Sequence, residues 1–350
     1  MKKVLIITPG FPENEEDTSC LPYIQDFVLA LSEKLGKENI KIICTQYPYH
    51  QNNYRWNGIE IFPAGGKNKK GIYYFFTLRR SIKKITALLK LDDYIIHAFW
   101  MGEAAFLGSN ALKKFSSRLV VTLMGQDVKP GNKTFSFIDF DKTTFVSLSK
   151  FQDDIFFQSY HKHADHLIPM PIPVIDPLSL NGERPNDILF VGSFIPVKQP
   201  EQFVSIIHEL KRDFPNIKAT MVGGGYLQDK LERLIVDQNL SGQITIKGNV
   251  SRAEVFDLMK RSKLLIHTSS FEGQCLVYTE ALAHGMYAMS YNVGRVEPTD
   301  KHIVCNTEQE ILIAAYKLLN SQLNFDQQLF TPIDEIVDRY IQIYNTTELN

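Results

Sequence analysis

The chain has 350 residues, 44% of them hydrophobic and 22% charged, proportions that exclude a mainly disordered chain, a collagen-like repeat and a disulfide miniprotein. At ~100–200 residues per domain, this length predicts two domains. Thirty-eight Lys and Arg against 39 Asp and Glu leave a formal charge of −1; this gives no global attraction to nucleic acid, and no apolar run reaches the ~18 residues of a spanning helix.

The opening MKKVLIITPGF carries too short an apolar run for a secretory signal and reads as a buried first strand, Val4 to Ile7. A helix with apolar residues at Ile24, Phe27 and Leu31 follows over Tyr23–Leu35. Further apolar runs at Ile40–Cys44, Tyr94–His97, Leu119–Leu123 and Phe145–Ser147 alternate with helical stretches such as Ile82–Leu89 and Ala104–Leu112. Continuous apolar strands separated by helices predict a parallel sheet covered on both faces. Residues 169–185 hold five of the chain's 16 prolines and read as a linker or extended edge.

The alternation then restarts. Strands are predicted at Asp187–Gly192, Lys218–Val222, Ile244–Ile246, Leu264–His267 and Met286–Ser290, and helices at Gln199–Leu210, Leu227–Val236, after the capping box Ser251-Arg-Ala-Glu254, near Cys275–Ala283 and at Ile333–Tyr344. The expected fold class is α/β, two doubly wound Rossmann-like domains, with ligand at the carboxyl ends of the strands between them. The expected division is 1–172, a proline-rich linker 173–186, a second domain 187–330, and a terminal segment 331–350 that returns to the first domain. Cys20, Cys44, Cys275 and Cys305 form no CxxC pair and read as lone thiols of a reducing compartment.

The richest local signal is SSFEGQCLVYTEALAHG, residues 269–285. A strand ends, a polar turn follows, and a helix opens whose first amides and positive dipole end suit a phosphate. Gly273 lets a ligand approach the backbone. Glu272 and Glu280, eight positions apart, project from similar faces, and carboxylates suit sugar hydroxyls. Ser269-x-x-Glu272 also has the spacing of a capping box, and Glu280 could equally be a solvated helix residue.

This segment resembles the signature of glycosyltransferase family four, retaining enzymes of the GT-B fold in which two glutamates flank seven residues. The likeness extends in order along the chain: FVGSFIPVK (190–198), MVGGGYLQDKL (221–231), ITIKGNV (244–250), and, in the amino half, YIIHAFW (94–100) and LVVTLMGQDV (119–128). The resemblance implies two domains facing across a cleft. It also implies that Glu272 and Lys198 serve catalysis, that Lys198 and the amides of Gln274, Cys275 and Leu276 hold the donor diphosphate, and that Glu272 binds the donor sugar. Glu280 would bind the ribose and Val250 would lie beside the base. Gly10 would face the diphosphate from the amino domain, where His97, Met124 and Asp127 would form the acceptor or sugar side. Three positions depart from the pattern: Ser193 stands where the family has a donor-binding arginine, Met124 where it has a histidine, and Pro171 where a glycine is usual.

The reaction implied is metal-independent, cofactor-free hexosyl transfer from a UDP- or GDP-sugar to a glycan or lipid-linked acceptor in surface polysaccharide synthesis. A catalytically degenerate nucleotide-sugar-binding scaffold is the alternative that Met124 and Ser193 suggest. Asp139-Phe-Asp141 matches a DxD metal motif without a nucleotide-binding context, and His161, His163 and His166 lack the partners that would complete a metal site. From Lys67 to Lys90 there are eight basic residues, no acidic ones, and the run Tyr73-Tyr74-Phe75-Phe76. This suits an anionic membrane face or a lipid-linked diphosphate acceptor, or else a solvated amphipathic helix with its aromatics buried. The expected location is cytoplasmic, with peripheral contact at the inner membrane face.

Overall fold

The computed structural model describes residues 3–91, 93–180, 182–294 and 299–346; Asn181 of the expected linker and 347–350 of the expected terminal segment lie outside these ranges. The chain forms two units, Met1–Pro171 with Thr331–Asn350, and Ile172–Phe330.

The amino unit contains β1 (Lys3–Gly10), α1 (Pro22–Leu35), β2 (Ile40–Tyr47), β3 (Tyr54–Trp56), β4 (Ile59–Pro63), α2 (Ile72–Leu89), β5 (Tyr94–Phe99), α3 (Glu103–Leu112), β6 (Leu119–Thr122), β7 (Thr143–Ser147), α4 (Lys150–Tyr160) and β8 (His166–Leu167). Its eight strands lie in the order β3-β4-β2-β1-β5-β6-β7-β8. All neighbours run parallel except the β3–β4 hairpin. That hairpin turns at Asn57-Gly58, both with positive φ, which is the short-loop chemistry such a turn demands. The central strands are buried along their length: Val4 to Ile7 and Ile96 are fully inaccessible, as expected of a sheet covered on both faces.

The carboxyl unit contains β9 (Asn186–Val191), α5 (Pro200–Leu210), β10 (Ala219–Val222), α6 (Gln228–Asp237), β11 (Ile244–Gly248), α7 (Arg252–Lys260), β12 (Ser262–His267), α8 (Leu276–Ala283), β13 (Tyr287–Tyr291), β14 (His302–Cys305) and α9 (Glu308–Leu319). Six parallel strands run β11-β10-β9-β12-β13-β14. The two-residue period of a strand sorts the core onto two faces. Ile188, Phe190, Leu264, Ile266 and Met289 pack under α5, α6 and α9, while Leu189, Leu265 and Ala288 pack under α7 and α8.

Within the proline-rich stretch, one residue is anchored in the interior of the carboxyl unit. Arg184 is buried, with Nη1 donating to the carbonyls of Met259 (3.0 Å) and Ser262 (2.7 Å) and Nη2 to that of His284 (2.7 Å). Its guanidinium lies 4.3 Å over the Phe325 ring. Two of these carbonyls close α7 and α8, where a cation meets the negative end of each helix.

The last helix, α10 (Ile333–Asn345), belongs to the amino unit. It packs on α1, burying Ile336, Val337, Tyr340, Ile343 and Tyr344. Lys34 pairs with Asp338 at 2.5 Å, and Arg118 donates to the Tyr344 carbonyl at 2.8 Å.

Candidate active site

The site is assembled where β9, β10 and β12 end. Beyond β9 the backbone of Phe194 donates to Gly224 O (2.8 Å), and Gly223 N donates to Gly248 O (2.9 Å), so the loops after three neighbouring strands interlock. Gly223 (φ +136°) and Gly225 (φ +155°) are required: a Cβ on them would stand 2.0 Å from Gly192 O and 2.5 Å from Phe194 O. The β9 loop then turns through Pro196–Lys198. Ser270 N and Ser269 Oγ both donate to Val197 O, at 2.8 and 3.0 Å. Ser269 therefore fastens this loop instead of capping a helix, and α8 opens later, after Cys275.

Lys198 and Glu272 meet at 2.5 Å through Oε1, and His267 Nε2 lies 2.9 Å from the same oxygen. Burial alone would raise the Glu272 pKa, but the His267 hydrogen bond and charge, with the Lys198 ammonium, outweigh it and hold the carboxyl down at about 2. Burial keeps His267 below the usual histidine range against the pull of Glu272. His267 Nε2 thus donates to an ionised carboxylate that also faces an ammonium. Gly273, Gln274 and Cys275 are buried, and Cys275 takes φ 60° as the residue before α8, a left-handed conformation uncommon outside glycine. The helix that follows presents its first amides and positive dipole end at the mouth of this cluster.

Glu280, one turn from the end of α8, pairs with Arg252 at 3.2 Å, both side chains about one-sixth exposed. Arg252 is the first residue of α7, fixed by the cap in which Ser251 Oγ accepts from Glu254 N at 3.2 Å, and its guanidinium lies 5.1 Å over the Phe256 ring. Val250 packs against the core under α7 and α8. Ser193 is exposed beside Gly192 and supplies no charge.

His267, Glu272 and Cys275 offer donor atoms within 4.8 Å of one another. The Lys198 ammonium already occupies the shared carboxylate, and burial pushes the Cys275 thiol well above its ordinary value. A cation there would have to displace one charge and deprotonate the thiol, so the trio is poorly suited to a metal. Asp139 sits in a surface turn 3.9 Å from Lys142, and His163 is spent on Asp153 at 2.9 Å.

In the amino unit the expected acceptor-side role of His97 is corrected. The residue is fully buried, with Nδ1 2.7 Å from Tyr344 Oη and Nε2 2.8 Å from Thr122 Oγ1, which in turn meets Tyr340 Oη at 3.1 Å. Nδ1 thus meets α10 directly and Nε2 meets it through Thr122, and burial lowers the His97 pKa to about 3. Asp127 likewise holds its own loop: its carboxylate accepts from the amides of Met101 (2.8 Å), Gly125 (2.7 Å) and Met124 (3.2 Å). Met124 is half-buried beside it. Gly10 ends β1 where a Cβ would stand 3.3 Å from Cys20 Sγ.

Residues that sequence reasoning passed over are His267, Thr268 and Arg252. A histidine and two hydroxyl residues closing an otherwise apolar strand were the available signal, since buried polar groups need partners.

Residues 175–324 match the family described as Glycosyl transferases group 1. An uncharacterised glycosyltransferase of Methanocaldococcus jannaschii is 24% identical over 325 residues, 91% of this chain and 86% of that protein. Sucrose-phosphate synthase from Thermosynechococcus elongatus superposes with a TM-score of 0.77 at 16% identity, covering 98% of each chain. HepE of Anabaena, in complex with UDP and glucose, superposes at 0.73 with 15% identity, over 99% of this chain and 100% of that one. The two parallel-sheet α/β domains therefore have the fold of the GT-B glycosyltransferases.

Proposed function

We propose that the protein is a retaining, metal-independent glycosyltransferase that moves a hexosyl group from a UDP- or GDP-sugar to a glycan or lipid-linked acceptor. The observation that carries this reading is the cluster at the mouth of α8, where Lys198, Glu272 and His267 converge on one carboxylate oxygen. A departing nucleoside diphosphate gains negative charge, which a nearby lysine and oriented amides stabilise most in the transition state. Lys198 and the amides at Gln274, Cys275 and Leu276 would hold the diphosphate. Glu272, ionised in its pocket, would accept from the donor sugar, and Glu280 from the ribose, with Val250 near the base. HepE of Anabaena is also described in complex with UDP-glucose, a donor of the class proposed here.

The test is release of nucleoside diphosphate from UDP- and GDP-sugars with candidate acceptors, preceded by a thermal-shift screen against the same donors, since a ligand of the folded state raises the melting point. Turnover that persists in EDTA and is lost in Glu272→Ala supports the proposal. Tight donor binding without turnover by any acceptor replaces it with a nucleotide-sugar-binding scaffold. Activity abolished by EDTA overturns metal independence.

A further inference from the structure

Residues 67–76, KNKKGIYYFF, are all exposed, the three lysines together with the five apolar residues that open α2. Ile72 is 65%, Tyr73 58%, Phe75 61% and Phe76 43% exposed. A contiguous apolar surface of this kind on a folded domain marks an interaction site.

The helix explains why the patch stands clear. Only its later turns are packed, through Ser81, Ile85, Leu88 and Leu89, against β2 and α3. The junction is fastened by polar contacts: Thr77 Oγ1 donates to Tyr73 O (3.1 Å), and Arg80 donates to Ala64 O (2.8 Å) and Thr77 Oγ1 (3.2 Å). Arg80 and Lys84, the latter 2.8 Å from Asn53 Oδ1, are thus spent on the fold. Lys67, Lys69, Lys70, Arg79 and Lys83 remain on the exposed surface, and Lys69 lies 4.7 Å over the Tyr73 ring. The sequence left open whether the aromatics are buried; the structure exposes them.

We infer that this surface docks on an anionic lipid bilayer. Ile72, Tyr73, Phe75 and Phe76 would enter the headgroup–acyl boundary, and Lys67, Lys69 and Lys70 would lie among lipid phosphates. Charge selects this occupant. No acidic residue occurs between 67 and 90, so two copies meeting face to face through the patch would bring like charges together, whereas anionic lipid neutralises them. Aromatic rings flanked by lysines also match the depth at which a bilayer changes from apolar to charged. No helix among the described residues is long and apolar enough to cross a membrane, so the contact inferred is peripheral. The inference goes beyond the transferase reading and does not need it.

The full-length chain is sedimented with vesicles of phosphatidylcholine alone and of phosphatidylcholine with phosphatidylglycerol, without donor or acceptor, so that failed docking and failed catalysis are read separately. Binding is expected only to the anionic vesicles. It should fall sharply in ~1 M NaCl, where the Debye length is ~3 Å. The Lys67→Gln, Lys69→Gln, Lys70→Gln triple variant should bind on the order of a hundredfold more weakly, from about fivefold per lysine. Phe75→Ser with Phe76→Ser should release the protein from vesicles while its melting point changes little, because the two side chains are already 61% and 43% exposed. Equal binding to both vesicle types, or variants that bind like the parent, would overturn the inference. So would a concentration-dependent dimer that is lost in the Phe75, Phe76 variant while no vesicle is bound.

Discussion

The hydroxyl of Thr268 sits 2.8 Å from the main-chain carbonyl of Lys198 and 2.9 Å from that of Gln199. The end of β12, which leads into Glu272, therefore also anchors the backbone of the lysine that meets Glu272. A cation and its carboxylate are placed by one strand terminus, without a long flexible path between them. Thr268→Val keeps the side-chain shape and removes the donor. The expected result is a loss of about 1–2 kcal/mol of stability and roughly tenfold weaker binding of UDP or GDP by calorimetry, with Thr268→Ser restoring most of both. Unchanged affinity in Thr268→Val would show that the lysine loop holds its position unaided.

Arg252 and Glu280 give a second, separable test. Removing Glu280 leaves the guanidinium facing the proposed ribose site without its carboxylate, and removing Arg252 leaves the carboxylate without its cation. Under the proposed donor geometry, Glu280→Ala weakens nucleotide affinity with the fold intact, and Arg252→Ala does so by a smaller factor. The double variant should be less than additive, since residues in one ion pair couple. Affinity indifferent to Glu280→Ala would return this pair to the helix surface.

Arg184 predicts a stability effect far from any ligand. Its three carbonyl partners are enclosed with it, and deleting one side of a buried charged hydrogen-bond set costs about 3–5 kcal/mol. Arg184→Ala should lower the calorimetric melting point of the carboxyl unit by several degrees. Arg184→Lys should recover only part, because an ammonium cannot reproduce the planar fork or the stacking on Phe325.

His97 sets an acid limit on the amino unit. Its folded pKa of about 3 lies below the ordinary 6.5, so the unfolded chain takes up the proton first. The stability it contributes is complete above pH 6.5 and is lost as pH falls toward 3, at up to about 1.4 kcal/mol per pH unit. Both tryptophans, Trp56 and Trp100, belong to the amino unit, so fluorescence-monitored urea unfolding reads this unit alone. The midpoint should drop between pH 6.5 and 4.5, and the slope should shrink in His97→Gln. An unaltered slope would mean that other groups govern the acid response.

The alternation of strands and helices was legible because buried parallel strands are near-continuous apolar runs, as at Val4–Ile7 and Leu264–Ile266. The β3–β4 hairpin was passed over although Asn57-Gly58 announces it, and the opening turns of α2 were hidden because Ile72–Phe76 are apolar on every side and show no helical period. Lys198, Glu272 and Glu280 could be nominated from the family resemblance of the segments that carry them. Their partners could not, since Arg252 and His267 meet them through strand-end geometry that has no local signature. His97 was misplaced because a polar residue at a strand's end reads as a ligand group when the helix that covers it lies more than 200 positions away.

The return of α10 to the amino unit also bears on how the chain is made. The strands of that unit leave the ribosome first, yet the pocket around His97, Thr122 and Phe27 stays open until Tyr340 and Tyr344 have been synthesised, after the whole carboxyl unit. Throughout translation of 172–330 the nascent amino unit therefore carries an unfilled apolar groove, which makes it a candidate client for a chaperone during that interval.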